Sequence, residues 1–492
     1  MQNTSTATVP ITSDAVRARL TDCGDAVFCD VALTAAFGGK LTAAFIDGMV
    51  SSQIVNDFIL KPLSEKRVFA QAFNERELLD LAMNGEVYHG QRKMCGDLET
   101  AMEQLLSGAL VLIFDGEQAA IAYDSKGYEK RSVSEPTNEN VLKGSKESFG
   151  EAMRVNTSLV RRRIQTDALK MRTITLGRRT HTSITLVYLD GVANPDTVTR
   201  VEERLGSLDV DGIVSTGQIE LQLQETRRTI FPLVLYTERV DKFCGNILEG
   251  RIGIITDGLP VAYITPNDLH SFLQAPEDYS HNKIISTALR ILRYFCSFAS
   301  LILPAFYVSI TTFHQEMIPT KLAVSIIASK QGVPFPTYME VLLMLLAFEV
   351  LLEAGTRLPQ SIGQAVSIVG ALVVGQAAIT ANMLSPGVVI VIAAAGITGF
   401  VIPSQDFSNT VRLCRIALVL LSTLGGLFMT SIGLIFLLYH MCTLDNFGTP
   451  YLSPFVASEG RQMFNDTIVR RSWLMLDERP ENIRPADKKR KG

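Results

Sequence analysis

The stretch LPQSIGQAVSIVGALVVGQAAITANMLSPGVVIVIAAAGITGFVIPSQ, residues 358–405, carries no charged side chain over 48 positions. A bilayer-spanning helix needs about 20 apolar residues, because each residue rises about 1.5 Å and the hydrocarbon layer is about 30 Å thick. The stretch fits two spans, broken at Ser385-Pro386-Gly387. Two further uncharged runs flank it, 22 residues over Tyr294–Gln315 and 29 over Ile416–Leu444, and each fits one span. The expected spans lie near 294–313, 362–384, 387–403 and 416–440.

Outside these runs the chain looks soluble. Of its 492 residues 47% are apolar and 20% charged, with formal net charge −4. That balance excludes a disordered chain and offers no global basic field for nucleic acid. Seven cysteines without a CxxC pair read as reduced thiols. Met1 to Arg19 is polar and lacks the continuous apolar core of a signal peptide. Lys283, Arg290 and Arg293 precede the first run, and Arg461, Arg470, Arg471, Arg479, Arg484 and Lys488 to Lys491 follow the last. The positive-inside bias then places the N-terminal domain and the basic tail on the cytosolic side. Four crossings satisfy that. Thr337–Ala354, with Glu340, Glu349 and Glu353, reads as a re-entrant or interfacial helix, or one shielded by partners, because carboxylates at bilayer depth are costly. Ile318–Lys330 reads as amphipathic.

The soluble half contains a repeat. A strand, Asp-Gly, helix pattern starts at Thr42 and again at Thr185, an offset of 143. A strand, Asp-Gly, strand pattern starts at Ser107 and again at Glu249, an offset of 142. Offsets that agree to within one residue for two patterns predict a duplicated α/β unit. The expected organisation is an extension over 1–26, α/β subdomains over 27–130 and 170–283, and a polar linker over 131–169. A helical membrane domain over 284–441 and a basic tail over 442–492 complete it. In the linker, Arg161, Arg162 and Arg163 form a basic run suited to a partner surface or anionic headgroups.

No Walker loop, GxSxG, HExxH or post-strand GxGxxG occurs, and the six histidines are scattered. Nothing asks for an enzyme, a cofactor or a metal. The informative residues lie in the apolar half. Ala371/Gly375 and Ala395/Gly399 are small-xxx-small pairs suited to close helix packing in lipid. Gln364, Gln376, Thr380 and Asn382 need partners or water there, and Gln376 and Thr380 share a helix face that could line a path. Glu349, Glu353 and Arg357 run along one face, with Glu340 about 180° around. Arg357 neutralises Glu353 in this reading. Glu349 or Glu340 is left as an unpaired member of a carboxylate ring favouring cations.

Three segments carry a family resemblance. They are SEPTNENVLKGSKESFGEAMRVNTSLVRRRI from Ser134, FPLVLYTERVDKFCGNILEGRIGIITDGLPVAYITP from Phe231, and PFPTYMEVLLMLLAFEVLLEAGTRLPQSIGQAVSIVGALVVGQAAITANMLSP from Pro334. Together they resemble the A subunit of the GerA-type spore germinant receptors, over about Val27 to Phe455. The resemblance implies a receptor with a transporter-like B subunit, which binds the nutrient, and a lipoprotein C subunit. It implies the spore inner membrane, with the soluble domain facing the core, and A subunits that assemble as a pentamer into a cation-conducting pore. The stage V sporulation protein AF class shares the fold as an accessory. The intact FEVLLEAGTRLP run from Phe348 is more like the receptor subunit. The second reading is a non-conducting scaffold coupling a receptor to release machinery. A secondary transporter is a weaker third, with few spans and no inverted repeat.

Overall fold

The computed structural model describes residues 10–32, 40–87, 90–127, 136, 139, 141, 143–226, 228–357, 375–456, 466–471, 478–480, 483 and 485–490. The chain divides into two compact units. An α/β unit comprises Met1–Glu225, Val234–Pro266 and Asp477–Gly492; a helical unit comprises Thr226–Leu233 and Asn267–Leu476.

The α/β unit contains two five-stranded antiparallel sheets. The first uses β1 (Ala26–Ala32), β2 (Lys40–Ile46), β3 (Arg92–Cys95), β4 (Leu110–Phe114) and β5 (Ala119–Tyr123) in the order β1-β2-β4-β5-β3. The second uses β6 (Leu169–Leu176), β7 (Thr182–Leu189), β8 (Leu235–Thr237), β9 (Ile252–Thr256) and β10 (Ala262–Thr265) in the order β6-β7-β9-β10-β8. The two orders match strand for strand. Asp115-Gly116 and Asp257-Gly258 lie in the β4–β5 and β9–β10 hairpins. Gly48 and Gly191, each directly after the second strand of its sheet, take φ of +77° and +74°, a backbone region open to glycine.

Helices of this unit include α1 (Ser13–Arg19), α2 (Glu75–Met83), α3 (Leu98–Leu106), α4 (Met153–Arg163), α5 (Pro195–Gly206) and α6 (Val240–Leu248). Along β4 and β5, Leu110, Leu112, Ile121 and Tyr123 join a core with α2. Val111, Ile113, Ala120 and Ala122 join another with α1 and α3. Period-two side chains feed both faces of the sheet, so the run LVLIF is apolar throughout.

The basic run at 161–163 divides: Arg161 turns inward, Arg162 is half-buried and Arg163 is exposed. Arg161 is fully buried and grips both oxygens of Asp25. Burial opposes its charge, and the Asp25 carboxylate more than offsets that. Arg162 and Arg163 both pair with Glu147, at 3.3 and 2.7 Å. Arg161 is an internal tie between α4 and its surroundings. Glu139 is a second tie: it accepts from Lys242 Nζ at 2.7 Å, from the Glu238 N–H at 3.1 Å and from the Thr237 hydroxyl. Burial would raise its carboxyl, and these donors hold it below the usual carboxylate range. The basic tail is likewise not free. Arg479 pairs with Asp487, Arg490 pairs with Glu249, and the Ala486 N–H donates to the Val192 carbonyl at 2.9 Å.

The helical unit holds α7 (Lys283–Thr312), α8 (Thr320–Lys330), α9 (Thr337–Arg357), α10 (Pro386–Phe400) and α11 (Gln405–Thr443). Among the described residues α7 and α11 are long and apolar enough to cross a bilayer; α10 is a shorter apolar helix. The expected 294–313 span falls within α7 and the 387–403 span mostly within α10. Residues 362–374 of the remaining middle span lie outside the described residues. Arg290 and Arg293 do not face headgroups. Both donate to the fully buried Asp278, at 3.0 and 2.7 Å.

The 29-residue run is not one span. Gly425 and Gly426 leave helical geometry, and Gly426 takes φ +58°. A Cβ at Gly433 would lie 2.7 Å from side-chain carbons of both Leu418 and Leu421. Thr410 Oγ1 donates to the Ile230 carbonyl at 2.7 Å, and His440 Nε2 meets Thr229 Oγ1 at 3.1 Å. Thirty residues of straight helix would separate those points by about 45 Å. Helix α11 is therefore a hairpin, with arms over 405–424 and 427–443 and its turn packed on Phe313.

Helix α9 packs against its neighbours in the bundle. Val341 and Leu345 are buried in the bundle core with Val388 and Ile392 of α10. Contacts of Glu340 with Ser385, and of Phe348 with Gly396 and Phe400, run α9 parallel to α10.

Candidate functional site in the helical unit

Pro304 sets the centre of the site. Proline has no N–H, so the carbonyl of Ser300, four residues earlier, loses its helical donor. Arg415, on the first arm of α11, supplies a replacement through Nε at 2.7 Å. Its Nη2 donates to Ser300 Oγ and, at 3.2 Å, to the Ala395 carbonyl of α10. Ser300 Oγ donates to that same carbonyl at 2.9 Å. One guanidinium, 1% exposed, thus joins α7, α10 and α11.

One turn earlier, Arg412 grips Glu349 of α9, with Nε 3.1 Å from Oε1 and Nη2 on Oε2. At the other end of α9, Glu340 is fully buried. Its Oε2 accepts the N–H and the hydroxyl of Ser385, each at 2.7 Å. Ser385 is the residue before the first turn of α10, so the carboxylate sits at the positive end of that helix. Lys330 Nζ lies 3.5 Å from Glu340 Oε1 and also contacts Thr337. Neither Glu340 nor Glu349 is unpaired within one chain. Each found a cation that sequence spacing did not link to it. Glu353 and Arg357 do form the expected i, i+4 pair, and both are exposed.

Gln376, Thr380 and Asn382 are exposed, and Thr380 Oγ1 donates to the Gln376 carbonyl at 2.7 Å. The Ala395/Gly399 pair faces inward. A Cβ at Gly399 would lie 3.1 Å from Ser300 Oγ and 3.3 Å from Arg415 Nη2. Gly375 lies at ordinary contact distance from Val389, while Ala371 and Gln364 lie outside the described residues. Among the described residues no group of three or more His, Cys, Asp or Glu could hold a metal ion. Sequence reading missed Pro304, Lys330, Ser385, Arg412 and Arg415. The available signal was a proline inside one uncharged run and two arginines, three apart, at the edge of another.

The family described as Bacillus/Clostridium GerA spore germination protein matches residues 14–482. Spore germination protein KA of Bacillus subtilis (strain 168) is 36% identical over 452 residues, covering 92% of this chain and 82% of that protein. Spore germination protein GerLA of Bacillus cereus is 34% identical over 473 residues, covering 96% and 95%. The uncharacterized membrane protein YfkQ of Bacillus subtilis (strain 168) is 36% identical over 464 residues, covering 93% and 88%. The crystal structure of the N-terminal domain of the A subunit of the Bacillus megaterium spore germinant receptor GerK3 aligns at TM-score 0.42 and 26% identity. It covers 53% of this chain and 98% of that one.

Proposed function

The chain belongs to the Bacillus/Clostridium GerA spore germination protein family, and from that premise we propose that it is the membrane-embedded A subunit of a nutrient germinant receptor. In this reading it works with a transporter-like B subunit and a lipoprotein C subunit in the spore inner membrane. Copies of it, five in a ring, form a ligand-gated path for cations. We read the α/β unit as two copies of one fold, the first over 27–130 and the second from Lys170 to Pro266, short of the expected 283 because Asn267 onward belongs to the helical unit; the matching strand orders support this.

The observation that carries the membrane reading is an inverted polarity in the helical unit. Phe295, Phe298, Leu424, Phe428 and Phe436 are exposed, whereas Arg290, Arg415 and Glu340 are buried. Water favours the reverse arrangement and lipid favours this one. Helices α7, α9 and α10 and the two arms of α11 are candidate crossings in this reading, and 358–374 lies outside the described residues. An even count suits a chain whose segments before Pro266 and after Asp477 belong to one unit.

Gln376, Thr380 and Asn382, exposed in one chain, are the polar groups this reading offers to a pore, with Glu353 as the exposed carboxylate. The internal pairing of Glu340 and Glu349 favours the second reading, a non-conducting scaffold. Potassium flux through liposomes holding the purified full chain separates the two. Flux that falls when 376, 380 or 382 is replaced by cysteine and blocked supports the pore. No flux, with germination still dependent on the chain, leaves the scaffold.

A further inference from the structure

Helix α8, Thr320–Lys330, has no buried residue in its 11 positions. Leu322, Val324 and Ile327 are 54%, 61% and 67% exposed. Lys321, Ser325 and Ser329 recur every four residues and form one narrow polar strip, with Ile327 about 160° around from Ser325. The helix is about 16 Å long, half the hydrocarbon thickness of a bilayer. Its C-terminal end is fixed. Lys330 Nζ contacts Thr337 and lies 3.5 Å from Glu340 Oε1. The faces of α8 therefore have set directions in the bundle.

We propose that α8 is a lipid-binding helix that lies along the membrane surface in the headgroup layer. Val324 and Ile327 turn toward the acyl chains, and Lys321 and Ser325 toward headgroups and water. The proposal rests on the reading of α7 and α9, which α8 joins, as crossings. Three observations choose lipid. The exposed apolar side chains run on through α8, from Phe313 and Met317 before it to Met339 and Leu343 after it. Water disfavours that continuity and a membrane surface accepts it. Leu322 lies about 160° around from Val324, so one flat protein face does not cover both, whereas acyl chains and headgroups pack around a helix. The polar strip begins with Lys321, the residue type that pairs with anionic headgroups. Glu340 also accepts from Ser385 at the start of α10, so Lys330 ties the headgroup layer to two helices of the bundle.

The test uses the full chain in nanodiscs of phosphatidylcholine and phosphatidylglycerol, with Trp473, its one tryptophan, replaced by Phe. Val324→Trp, Ile327→Trp and Ser325→Trp are read one at a time. The quenchers are lipids brominated near the headgroup, lipids brominated near the chain end, and acrylamide in water. Shallow bromine should quench Val324→Trp and Ile327→Trp about twice as strongly as Ser325→Trp, and acrylamide should give the reverse order. Phe298→Trp on α7 should respond best to deep bromine. Absence of that response overturns the membrane reading and the proposal together. Where it is present, equal acrylamide quenching at the three α8 positions overturns the proposal alone. Protection of all three from bromine and acrylamide also overturns it and means a protein partner. Strongest quenching of Val324→Trp and Ile327→Trp by deep bromine overturns it as well and means insertion into the bilayer core.

Discussion

Arg161 and Asp25 meet side-on inside the α/β unit, with Nε and Nη2 each 2.8 Å from a carboxylate oxygen and almost no exposed surface on either side chain. The pair ties the linker helix α4 to the segment just ahead of β1. Removing one partner strands a buried charge. Asp25→Ala should therefore destabilise by about 3–5 kcal/mol, whereas Arg161→Met with Asp25→Leu should cost much less. Denaturant unfolding of the two variants against the unsubstituted chain measures this. Equal costs for single and double replacement would show that the two side chains are not coupled.

Glu139 gives a pH dependence with a definite sign. Its native carboxyl is held low by Lys242, Thr237 and Glu238 against the effect of burial. A depressed native value stabilises above the ordinary glutamate value of about 4.3 and is lost as pH falls through the native one. Glu139→Gln should lower stability at pH 6 and flatten the acid limb below about pH 4.3. Thermal unfolding from pH 6 to 3, taken as unsubstituted minus variant, reads the difference. A constant difference across that range would refute the assignment.

The α11 hairpin depends on glycines where the arms touch. Gly433→Leu would overpack Leu418 and Leu421 and should cost about 1–3 kcal/mol. Gly426→Val adds a branched side chain at positive φ against Phe313, at about 1–3 kcal/mol from backbone strain alone. Gly245→Ala, on α6 with open space around it, serves as the tolerated control. Similar unfolding temperatures in all three would argue for a straight helix.

Glu349 and Glu353 should trade the roles that spacing suggests. Sequence reading assigns the internal ion pair, and hence an effect on protein level, to Glu353. In the structure that pair is exposed and contributes about 0.3–0.5 kcal/mol. Glu349 instead holds Arg412 between helices. Glu349→Gln should reduce abundance on immunoblots, and Glu353→Gln should leave it near normal. The reverse ranking would contradict the Glu349–Arg412 contact.

These cases show what was legible. The near-equal offsets at Asp47, Asp115, Asp190 and Asp257 were enough to expect two like sheets, because strand–turn patterns are local. The uncharged runs marked the helices for the same reason. The partner of a charge is not local. Nothing in the spacing links Arg161 to Asp25, or Glu340 to Ser385 and Lys330. The hairpin was half legible. Gly425-Gly426 stands in the middle of the last run, but 29 uncharged residues suffice for one span of about 20 and fall short of two, so the run reads as a single helix.

The split composition of the α/β unit has a consequence for how the chain is made. Ile483 is buried in that unit and Pro485 packs near Gly250, yet 210 residues, Asn267–Leu476, separate them from Pro266. At about 5–20 residues per second, a ribosome takes roughly 10–40 seconds to cross that gap. The second sheet must wait that long, incompletely covered, for its last piece. On the membrane reading, an odd number of crossings would deliver 477–492 to the wrong side, and the unit would never close. Completion of the α/β unit then acts as a proofreading step on the insertion of the helices.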